Sequence, residues 1–537
     1  MAQIAPAHVV IIGCGFAGTS ALWQLVDRHP VRRITVFEAS GVFGPGYPYR
    51  LDDCADYLIN NTTGTMCLVP GHRRAFLDWL AGQQRAIDPR GHLPRREFGR
   101  FLADTVRAAQ TSAAIKGIQV ELIGAEVTGL QEPAHGGVRV QWHGGEVAAD
   151  AAILTTGRCP DRQAAPRAPA GAGAVYVLAH IGGDALDDLP LDATCHVLGA
   201  SLSAYDIVNR LFAPRTGCSF VRDAAGVLQY RAGPNARQVV LCSRSGRLKK
   251  MHSRTPLPIR RTRLVAPVLA GLARQGGLTL AAIQALVDEE AAAHGQAVDW
   301  PQVLAPYANC DSAEAVNRHA GALLAADIAA ASGGDGANFL ADLADNAQDL
   351  LWQVFAQGWL RPDQQRLYRT HVESAVLTYA ATCPIPTAER LLALHRAGRL
   401  VVRTGVHGVA LQPDGSAYTI AHRFGLEQAR VLVNATGAVD RRVASPHQGA
   451  LLASLHAQGL AQPYRLDGEV SDGVAVDLQT FRLDGSRCTY AANMLLWGPA
   501  FFTSSAFTMA SVVEQLLAGL FAAHPVSPSS APPLPRN

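Results

Sequence analysis

The sequence predicts an α/β fold made of two Rossmann-like domains, with a helical insertion in the second domain. Two stretches, beginning at His8 and Cys195, each combine a short apolar strand, a turn of small residues and a helix with periodic apolar residues. A third stretch, residues 256–400, carries Ala, Leu and Glu at helical spacing. The 537 residues favour roughly two to four domains, at about 100–200 residues for each.

Composition and charge exclude several classes of protein. Apolar residues make up 48% of the chain, which is enough for a large core. Lys and Arg number 47 against 44 Asp and Glu, and this balance argues against a nucleic-acid partner. No apolar run approaches the ~20 residues that cross a bilayer, and the N-terminus lacks the basic region of a signal peptide. The ten cysteines include no Cys-x-x-Cys pair, so we expect reduced thiols, no metal site and a cytoplasmic location.

A glycine-rich turn at residues 13–18 follows the first predicted strand, His8–Ile12. Gly13 permits a tight turn, Gly15 lets the backbone approach a pyrophosphate, and Gly18 lets the helix and the strand pack closely. The helix that follows presents free N–H groups and its positive dipole end to phosphates. The predicted nucleotide contacts in this turn are Gly13, Gly15, Phe16, Ala17 and Gly18.

The second predicted strand, Arg33–Phe37, ends at Glu38, twenty residues after Gly18. A carboxylate at this strand end can accept hydrogen bonds from both ribose hydroxyls of an adenosine, and it would repel a 2′-phosphate. A glycine pattern alone is weak evidence for a nucleotide site. The strand before it, the helix after it and the acid at this distance together indicate a dinucleotide site. The site suits FAD or NAD and not NADP.

The second unit has a degraded glycine pattern. Gly199 is present, but Ser201 replaces the second glycine, and Ser203 or Ala204 replaces the third. Asp206 follows on the predicted helix. Taken alone, this turn leaves a nucleotide site and an ordinary strand–turn–helix element equally open.

The strand downstream of this turn, residues 238–241, supports a nucleotide site. It leads to Ser243 and Arg244, where the first unit has an acid. Hydroxyl and guanidinium groups suit a 2′-phosphate, since guanidinium pairs bidentately with phosphate oxygens. A solvated basic turn explains the same residues, but we favour NADPH. The predicted contacts are Gly199, Ser201, Ser203, Asp206, Ser243 and Arg244.

Two further predicted strands, beginning at Ala151 and Val431, each end near a Thr-Gly pair. These pairs are Thr156-Gly157 and Thr436-Gly437. A small residue at this point lets the chain pass close to a nucleotide before it crosses between domains. Because each pair follows one of the two turns in the same order, we predict that all four residues contact a cofactor.

Three motifs after Glu38 carry a family resemblance. They are Phe43-Gly44-Pro-Gly46-Tyr47-Pro-Tyr49, then Tyr57-Leu58-Ile-Asn60-Asn61 with Met66, then Pro94-Arg95-Arg96-Glu-Phe98-Gly99-Arg100. With them, the chain resembles bacterial FAD/NAD(P)-binding flavoproteins that have two dinucleotide-binding domains. N-hydroxylating, flavin-containing and Baeyer–Villiger monooxygenases share this plan. The resemblance covers the first 160 residues well, the Gly199 region moderately, and the C-terminal region from residue 496.

The resemblance implies flavin contacts from two loops, at residues 44–49 and 58–66, and from the C-terminal region. The residues assigned on this ground are Gly44, Tyr47, Asn60, Met66, Arg100, Gly498, Pro499 and Ser504. The residue type alone places Met66 in a core. A helix start with solvated charges explains Arg100 as well as an anion site does.

The resemblance also implies the activity: an FAD-dependent, NADPH-using monooxygenase that oxygenates a small nucleophilic substrate with O2. The reaction it suggests is N-hydroxylation of an amino acid or amine through a C4a-peroxyflavin. Because the flavin carries the chemistry, we assign no catalytic residue. Two alternatives stay open: an FAD/NAD(P)H oxidoreductase that inserts no oxygen, and a non-catalytic nucleotide-binding protein.

We divide the chain accordingly. The FAD domain comprises residues 1–160 and 438–524, the NAD(P)H domain residues 161–255 and 401–437, the insertion residues 256–400, and a disordered tail residues 525–537. The insertion is predicted to contain helices at 280–294, 313–331 and 337–357, and it could shape a substrate pocket or form a homo-oligomer. Its polar cluster, Tyr368, Arg369, His371 and Glu373, fits either a functional set or a solvated helix face.

Overall fold

The computed structural model describes residues 6–522 except 86, 158, 170, 179–183, 335 and 501, so the predicted tail lies outside the described residues. In chain order, the strands are β1 (His8–Ile12), β2 (Arg33–Phe37), β3 (Gln119–Ile123), β4 (Val127–Gln131), β5 (Val138–Trp142), β6 (Gly145–Ala149), β7 (Ala151–Leu154), β8 (Val175–Leu178), β9 (Thr194–Leu198), β10 (Ser219–Arg222), β11 (Leu228–Arg231), β12 (Gln238–Cys242), β13 (Leu400–Arg403), β14 (Gly408–Leu411), β15 (Tyr418–His422), β16 (Gly425–Ala429), β17 (Val431–Asn434), β18 (Pro463–Leu466), β19 (Glu469–Val474) and β20 (Thr489–Ala491).

The helices are α1 (Phe16–Arg28), α2 (Ala75–Gly82), α3 (Arg95–Ile115), α4 (Leu202–Leu211), α5 (Ala266–Arg274), α6 (Leu280–Ala293), α7 (Trp300–Leu304), α8 (Ala313–Gly333), α9 (Phe339–Asn346), α10 (Gln348–Ala356), α11 (Pro362–Leu367), α12 (Glu373–Ala380), α13 (Ile385–Arg396), α14 (Ala450–Ala457) and α15 (Ala506–Phe521). In the part of the chain that the structure describes, every helix is too short or too polar to span a bilayer.

The first domain is built on a parallel five-stranded sheet in the order β20-β7-β1-β2-β3. The strand β1 lies in its centre, with Val10 opposite Thr35 on one side and Ala152 on the other. Continuous apolar runs form these strands because both faces of the sheet are covered: α1 packs with α3 and α15, and the meander β4–β6 contributes Val127 and Leu130 to the same core. The last helix, α15, packs against α1, so the C-terminal region returns to this domain.

The second domain repeats this architecture. Its parallel sheet has the order β13-β12-β9-β17-β8, so β17-β9-β12-β13 corresponds to β7-β1-β2-β3 of the first sheet. In each domain an antiparallel meander precedes the strand that pairs with the first strand of the sheet. The meander β4–β6 precedes β7, which pairs with β1, and the meander β14–β16 precedes β17, which pairs with β9. The predicted fold of two Rossmann-like domains is therefore confirmed.

The helical insertion lies between β12 and β13 of the second domain. Two of its helices, α8 and α13, pack on the second sheet, where Val316 and Leu391 join the core around Val239. Other insertion helices form a separate apolar core. The predicted helix at 337–357 is instead two helices, α9 and α10, because Ala347 leaves helical geometry and its carbonyl accepts hydrogen bonds from the start of α10.

Glycine is required where β1 turns toward α1 and where β9 turns toward α4. The φ angles are +99° at Gly13 and +117° at Gly199, in the region that favours glycine. A Cβ would lie 2.4 Å from the Thr155 carbonyl oxygen at the first position and 2.6 Å from the Ala435 carbonyl oxygen at the second. Each turn therefore presses against the end of the neighbouring strand, β7 or β17.

The third position of the two turns differs, and this difference can be tested. A Cβ on Gly18 would lie 2.0 Å from the Gly13 carbonyl oxygen, whereas Ala204 already carries one at the corresponding place in α4. We expect Gly18→Ala to destabilise the protein by about 3 kcal/mol through backbone overlap, and Ala204→Gly by about 1 kcal/mol through backbone entropy. Thermal unfolding of both variants measures this difference, and equal losses would contradict it.

Candidate cofactor-binding site

A cavity of about 1060 Å³ lies where the carboxyl edges of the two sheets face each other. Open α/β sheets bind ligands at this edge, where loops and helix starts meet. Both domains contribute walls, which come from the ends of β1, β2, β7 and β17 and the start of α4. The sequence-predicted residues that line the cavity are Gly13, Gly15, Phe16, Ala17, Glu38, Tyr47, Thr156, Gly157, Ser203, Asp206, Thr436, Gly437 and Ser504.

The first wall is the start of α1. Gly15 precedes this helix and offers no side-chain cap, so the first N–H groups of the helix are left for another acceptor. A Cβ on Gly46 would lie 2.7 Å from the Gly15 Cα, so two glycines let the loop before Tyr47 close over the turn. The result is a positive helix end with backbone atoms at the cavity surface.

The carboxylate of Glu38 is held in place at the same surface. One oxygen accepts a hydrogen bond from the Cys14 backbone N–H at 2.8 Å. The other accepts one from the Ser40 hydroxyl at 2.8 Å. Because the side chain is only half-buried and lines the cavity, its carboxylate can also accept hydrogen bonds from a ligand.

The C-terminal region supplies a second helix start. Ser505 caps α15, its hydroxyl accepting a hydrogen bond from the Thr508 N–H, and residues 503–506 line the cavity. Asn493 donates to the Thr156 hydroxyl at 3.3 Å, which ties this region to the end of β7. The cavity thus has helix N-termini from both α1 and α15 in its wall, and both favour negative charge on a ligand.

An ion pair crosses between the domains at the cavity wall. Arg95, at the start of α3, lies 2.8 Å from Asp206 on α4, and it also donates to the Leu58 carbonyl at 3.0 Å. Both side chains are about nine-tenths buried. Burial raises the pKa of Asp206 to about 6, although Arg95 acts in the opposite direction. Asp206, a predicted cofactor contact, lines the cavity but also pairs with Arg95, a distant residue that local sequence patterns do not reveal.

Several predicted contacts lie behind the first-domain wall. Met66 is buried in an apolar core with Phe76 and Trp79, as its residue type favours. Arg100 is exposed and pairs with Glu97 of its own helix at 2.9 Å. Other residues in this group are Gly18, Gly44 and Asn60, which do not line the cavity. Gly44 serves packing, because a Cβ there would lie 2.6 Å from the Ala103 backbone nitrogen.

The remaining predicted contacts lie elsewhere. Gly498 packs on β19, where a Cβ would lie 1.9 Å from the Asp472 carbonyl oxygen, and Pro499 next to it is buried. In the second domain, Gly199 and Ser201 lie at the turn into α4, and Ser243 and Arg244 follow β12, outside the cavity lining. The Arg244 side chain is exposed.

Among the described residues, no three His, Cys, Asp or Glu side chains are arranged to hold a metal ion. Two helix starts, one half-buried carboxylate and a set of small residues at strand ends suit a ligand with phosphate and ribose groups.

We expect Arg95→Met to lower stability mainly at high pH. Breaking a buried pair leaves an uncompensated charge, which costs about 3–5 kcal/mol. The folded-state pKa of Asp206 already exceeds the ordinary value of 3.8, and the substitution raises it further. When the pKa of a carboxyl is higher in the folded than in the unfolded protein, the folded state loses stability as pH rises from the unfolded-state pKa to the folded-state pKa. Unfolding measurements should therefore show a larger loss of stability at pH 8 than at pH 5.

The double variant Arg95→Met/Asp206→Asn provides the control. A neutral amide needs no cation, so the second substitution should recover most of the stability at pH 8 and remove the pH dependence of the loss. Equal losses at both pH values in the single variant, or no recovery in the double variant, would contradict the interdomain pairing.

Comparison with known proteins agrees with this geometry. Residues 10–159 match the model of an FAD–NAD(P)-binding family. No curated protein matches the chain. A structure of ornithine N-hydroxylase from Kutzneria sp. 744, with reduced FAD, NADP+ and L-ornithine, is 16% identical with a TM-score of 0.53, covering 97% of this chain and 99% of that one.

A second solved structure is the cadaverine monooxygenase of Erwinia amylovora bound to FAD, which is 12% identical with a TM-score of 0.53 and covers 98% of both chains. At such identities the likeness concerns the fold. Residues 10–159 are therefore similar to an FAD–NAD(P)-binding domain, and the whole chain shares the two-domain fold of these two solved structures.

Proposed function

We propose that the protein is an FAD-dependent, NADPH-using monooxygenase that N-hydroxylates a small amine or amino acid with O2. One observation carries this proposal: the start of α1 in the first domain and the start of α4 in the second line a single cavity. Dinucleotides bound at two facing sheet edges would bring their reactive rings together, which electron transfer between them requires.

The first-domain wall fits FAD. The free N–H groups at the start of α1 suit its pyrophosphate, and Glu38 suits the ribose hydroxyls of its adenosine. The start of α15 lies in the same cavity, where its positive end would face the electron-rich part of the flavin. The volume, about 1060 Å³, is slightly above the roughly 300–1,000 Å³ of small-molecule and cofactor sites.

The residues that follow β12 in the second domain, outside the cavity lining, fit NADPH. The Gly13 N–H donates to the Phe37 carbonyl and the Gly199 N–H to the Cys242 carbonyl, both at 2.8 Å. Because Phe37 and Cys242 make the same contact, Ser243 in the second domain occupies the position that Glu38 has in the first. The exposed Arg244 follows Ser243 directly. A guanidinium at this strand end offers a 2′-phosphate the positive charge that the first domain lacks.

When bound, FAD would take electrons from NADPH and activate O2 for transfer to the substrate nitrogen. The residues of the chain bind and orient both nucleotides, and the walls from the two domains restrict water. The Asn493 amide and the Thr156 hydroxyl keep the C-terminal wall against the end of β7. The substrate class is inferred by analogy of fold, because the two enzymes with similar structures are an ornithine N-hydroxylase and a cadaverine monooxygenase.

The proposal is tested with purified protein, FAD and NADPH in the presence of a panel of amino acids and diamines. We expect one class of amine to stimulate NADPH oxidation and to yield an N-hydroxylated product by mass spectrometry. Flavin reduction followed by hydrogen peroxide release with every amine would instead indicate an oxidoreductase. A flavin that NADPH does not bleach under anaerobic conditions would contradict both enzymatic functions.

We expect Arg244→Ala to weaken NADPH binding roughly ten- to a hundredfold, because a hydrogen bond to an ionised group contributes about 1.5–3 kcal/mol. NADH use and FAD content should stay nearly unchanged. The Michaelis constants for both nicotinamide cofactors measure this effect, with Arg231→Ala as a control at another exposed arginine of the same domain. An equal loss with NADH and NADPH would assign Arg244 a structural role.

We expect Glu38→Gln to release FAD while sparing NADPH binding. The amide keeps the shape of the side chain but removes the charge that holds the Cys14 N–H and would accept the ribose hydroxyls. The loss of FAD affinity should again be roughly ten- to a hundredfold. Flavin content after gel filtration and a binding titration measure it, and Glu121→Gln, on an exposed side chain of β3, is the control. Unchanged flavin content would contradict the assignment.

A further inference from the structure

Arg369 connects the helical insertion to the segment that precedes α15. It lies in a π-helical turn, Tyr368–Val372, between α11 and α12. Its guanidinium donates hydrogen bonds to the carbonyls of Trp497 at 2.6 Å and Ala500 at 2.9 Å. The same guanidinium lies 5.4 Å from the centre of the Trp497 ring. One side chain of the insertion therefore holds two carbonyls of the first domain.

The surroundings of Arg369 are those of a fixed internal cation. Its side chain is 17% exposed and pairs with Glu373, which is 15% exposed. The interpretation of these two residues as part of a solvated helix face is therefore wrong. A buried pair is favourable only where further hydrogen bonds satisfy it, and the two carbonyls supply them. The π-helical turn is a rare element that is often found at functional sites.

The segment held by Arg369 begins and ends in the cavity wall. Met494 lines the cavity before this segment, and Thr503 lines it afterwards. Arg441 also contributes, lying 4.6 Å from the centre of the Trp497 ring. Movement of the carbonyls at 497 and 500 would therefore be passed to residues 503–506 and to the start of α15.

We propose that Arg369 is a positioning residue for the flavin, fixing the start of α15 against the cavity through the carbonyls of Trp497 and Ala500. This inference rests on the proposed function, since it takes FAD as the occupant of the cavity. The positive end of a helix stabilises negative charge, and a reduced flavin carries more of it than an oxidised one. Loosening this wall therefore weakens FAD binding and makes the midpoint potential of the bound flavin more negative.

The first measurement is amide hydrogen exchange of the protein without added cofactor. In Arg369→Ala, the amides of residues 494–500 and 502–506 should exchange at least tenfold faster than in the parent protein, while those of the second sheet stay unchanged. Arg366→Ala is the matched control, because Arg366 lies one turn earlier and pairs with the exposed Asp467 at 2.8 Å. Unchanged exchange in Arg369→Ala, or faster exchange spread over the whole protein, overturns the proposal.

The second measurement uses the FAD-loaded protein. Arg369→Ala should bind FAD about tenfold more weakly and show a more negative midpoint potential, whereas Arg366→Ala should match the parent. Arg369→Lys keeps the charge but not the forked donors, so it should recover part of the potential; it also serves if the alanine variant fails to fold. A potential equal to that of the parent in both Arg369 variants overturns the positioning role.

The two measurements separate this inference from the proposed function. If the parent protein binds no FAD, the proposed function fails, and faster local exchange in Arg369→Ala would then support only the contact between the insertion and the first domain. The flavin-positioning role would be overturned with it. If the parent binds and uses FAD but the Arg369 variants behave like Arg366→Ala, the proposed function stands and this inference alone fails.

Discussion

The close approach of each glycine turn to a neighbouring strand end is the constraint on which the rest of the structure depends. Gly13 and Gly199 come so near the carbonyls of Thr155 and Ala435 that no side chain fits between them. Because of this contact, the first helix of each domain begins at the carboxyl edge of its sheet, where its free N–H groups can meet a ligand. The two edges face one cavity, and this arrangement carries the proposed function.

The two domains share a backbone plan but differ in charge at equivalent positions. Where β2 leads to a carboxylate at Glu38, β12 leads to the hydroxyl of Ser243 and the guanidinium of Arg244. The backbone geometry suits a dinucleotide in either case, so the choice between nucleotides rests on these few side chains. Ser201 stands where the first turn has Gly15, at the residue before α4, and its side chain makes no capping hydrogen bond.

Contacts between parts of the chain hold the cavity walls in place. The pair of Arg95 and Asp206 joins the domains through two buried charges, and its value depends on both partners remaining present. Arg369 joins the insertion to the C-terminal segment through carbonyl groups and an aromatic ring. The insertion thus contacts the first domain directly, although it interrupts the second domain in the sequence.

The sequence by itself determined the two strand–turn–helix units, the bounds of β1 and β2 and the charge at Glu38, because these depend on residues within about thirty positions of one another. Only the tertiary structure decided the partner of Asp206, the burial of Arg369 and the break at Ala347. Arg369 and Trp497 are 128 positions apart, and local periodicity carries no information about which distant groups meet. Packing selects those partners, since a buried charge is stable only where the folded chain supplies its hydrogen bonds.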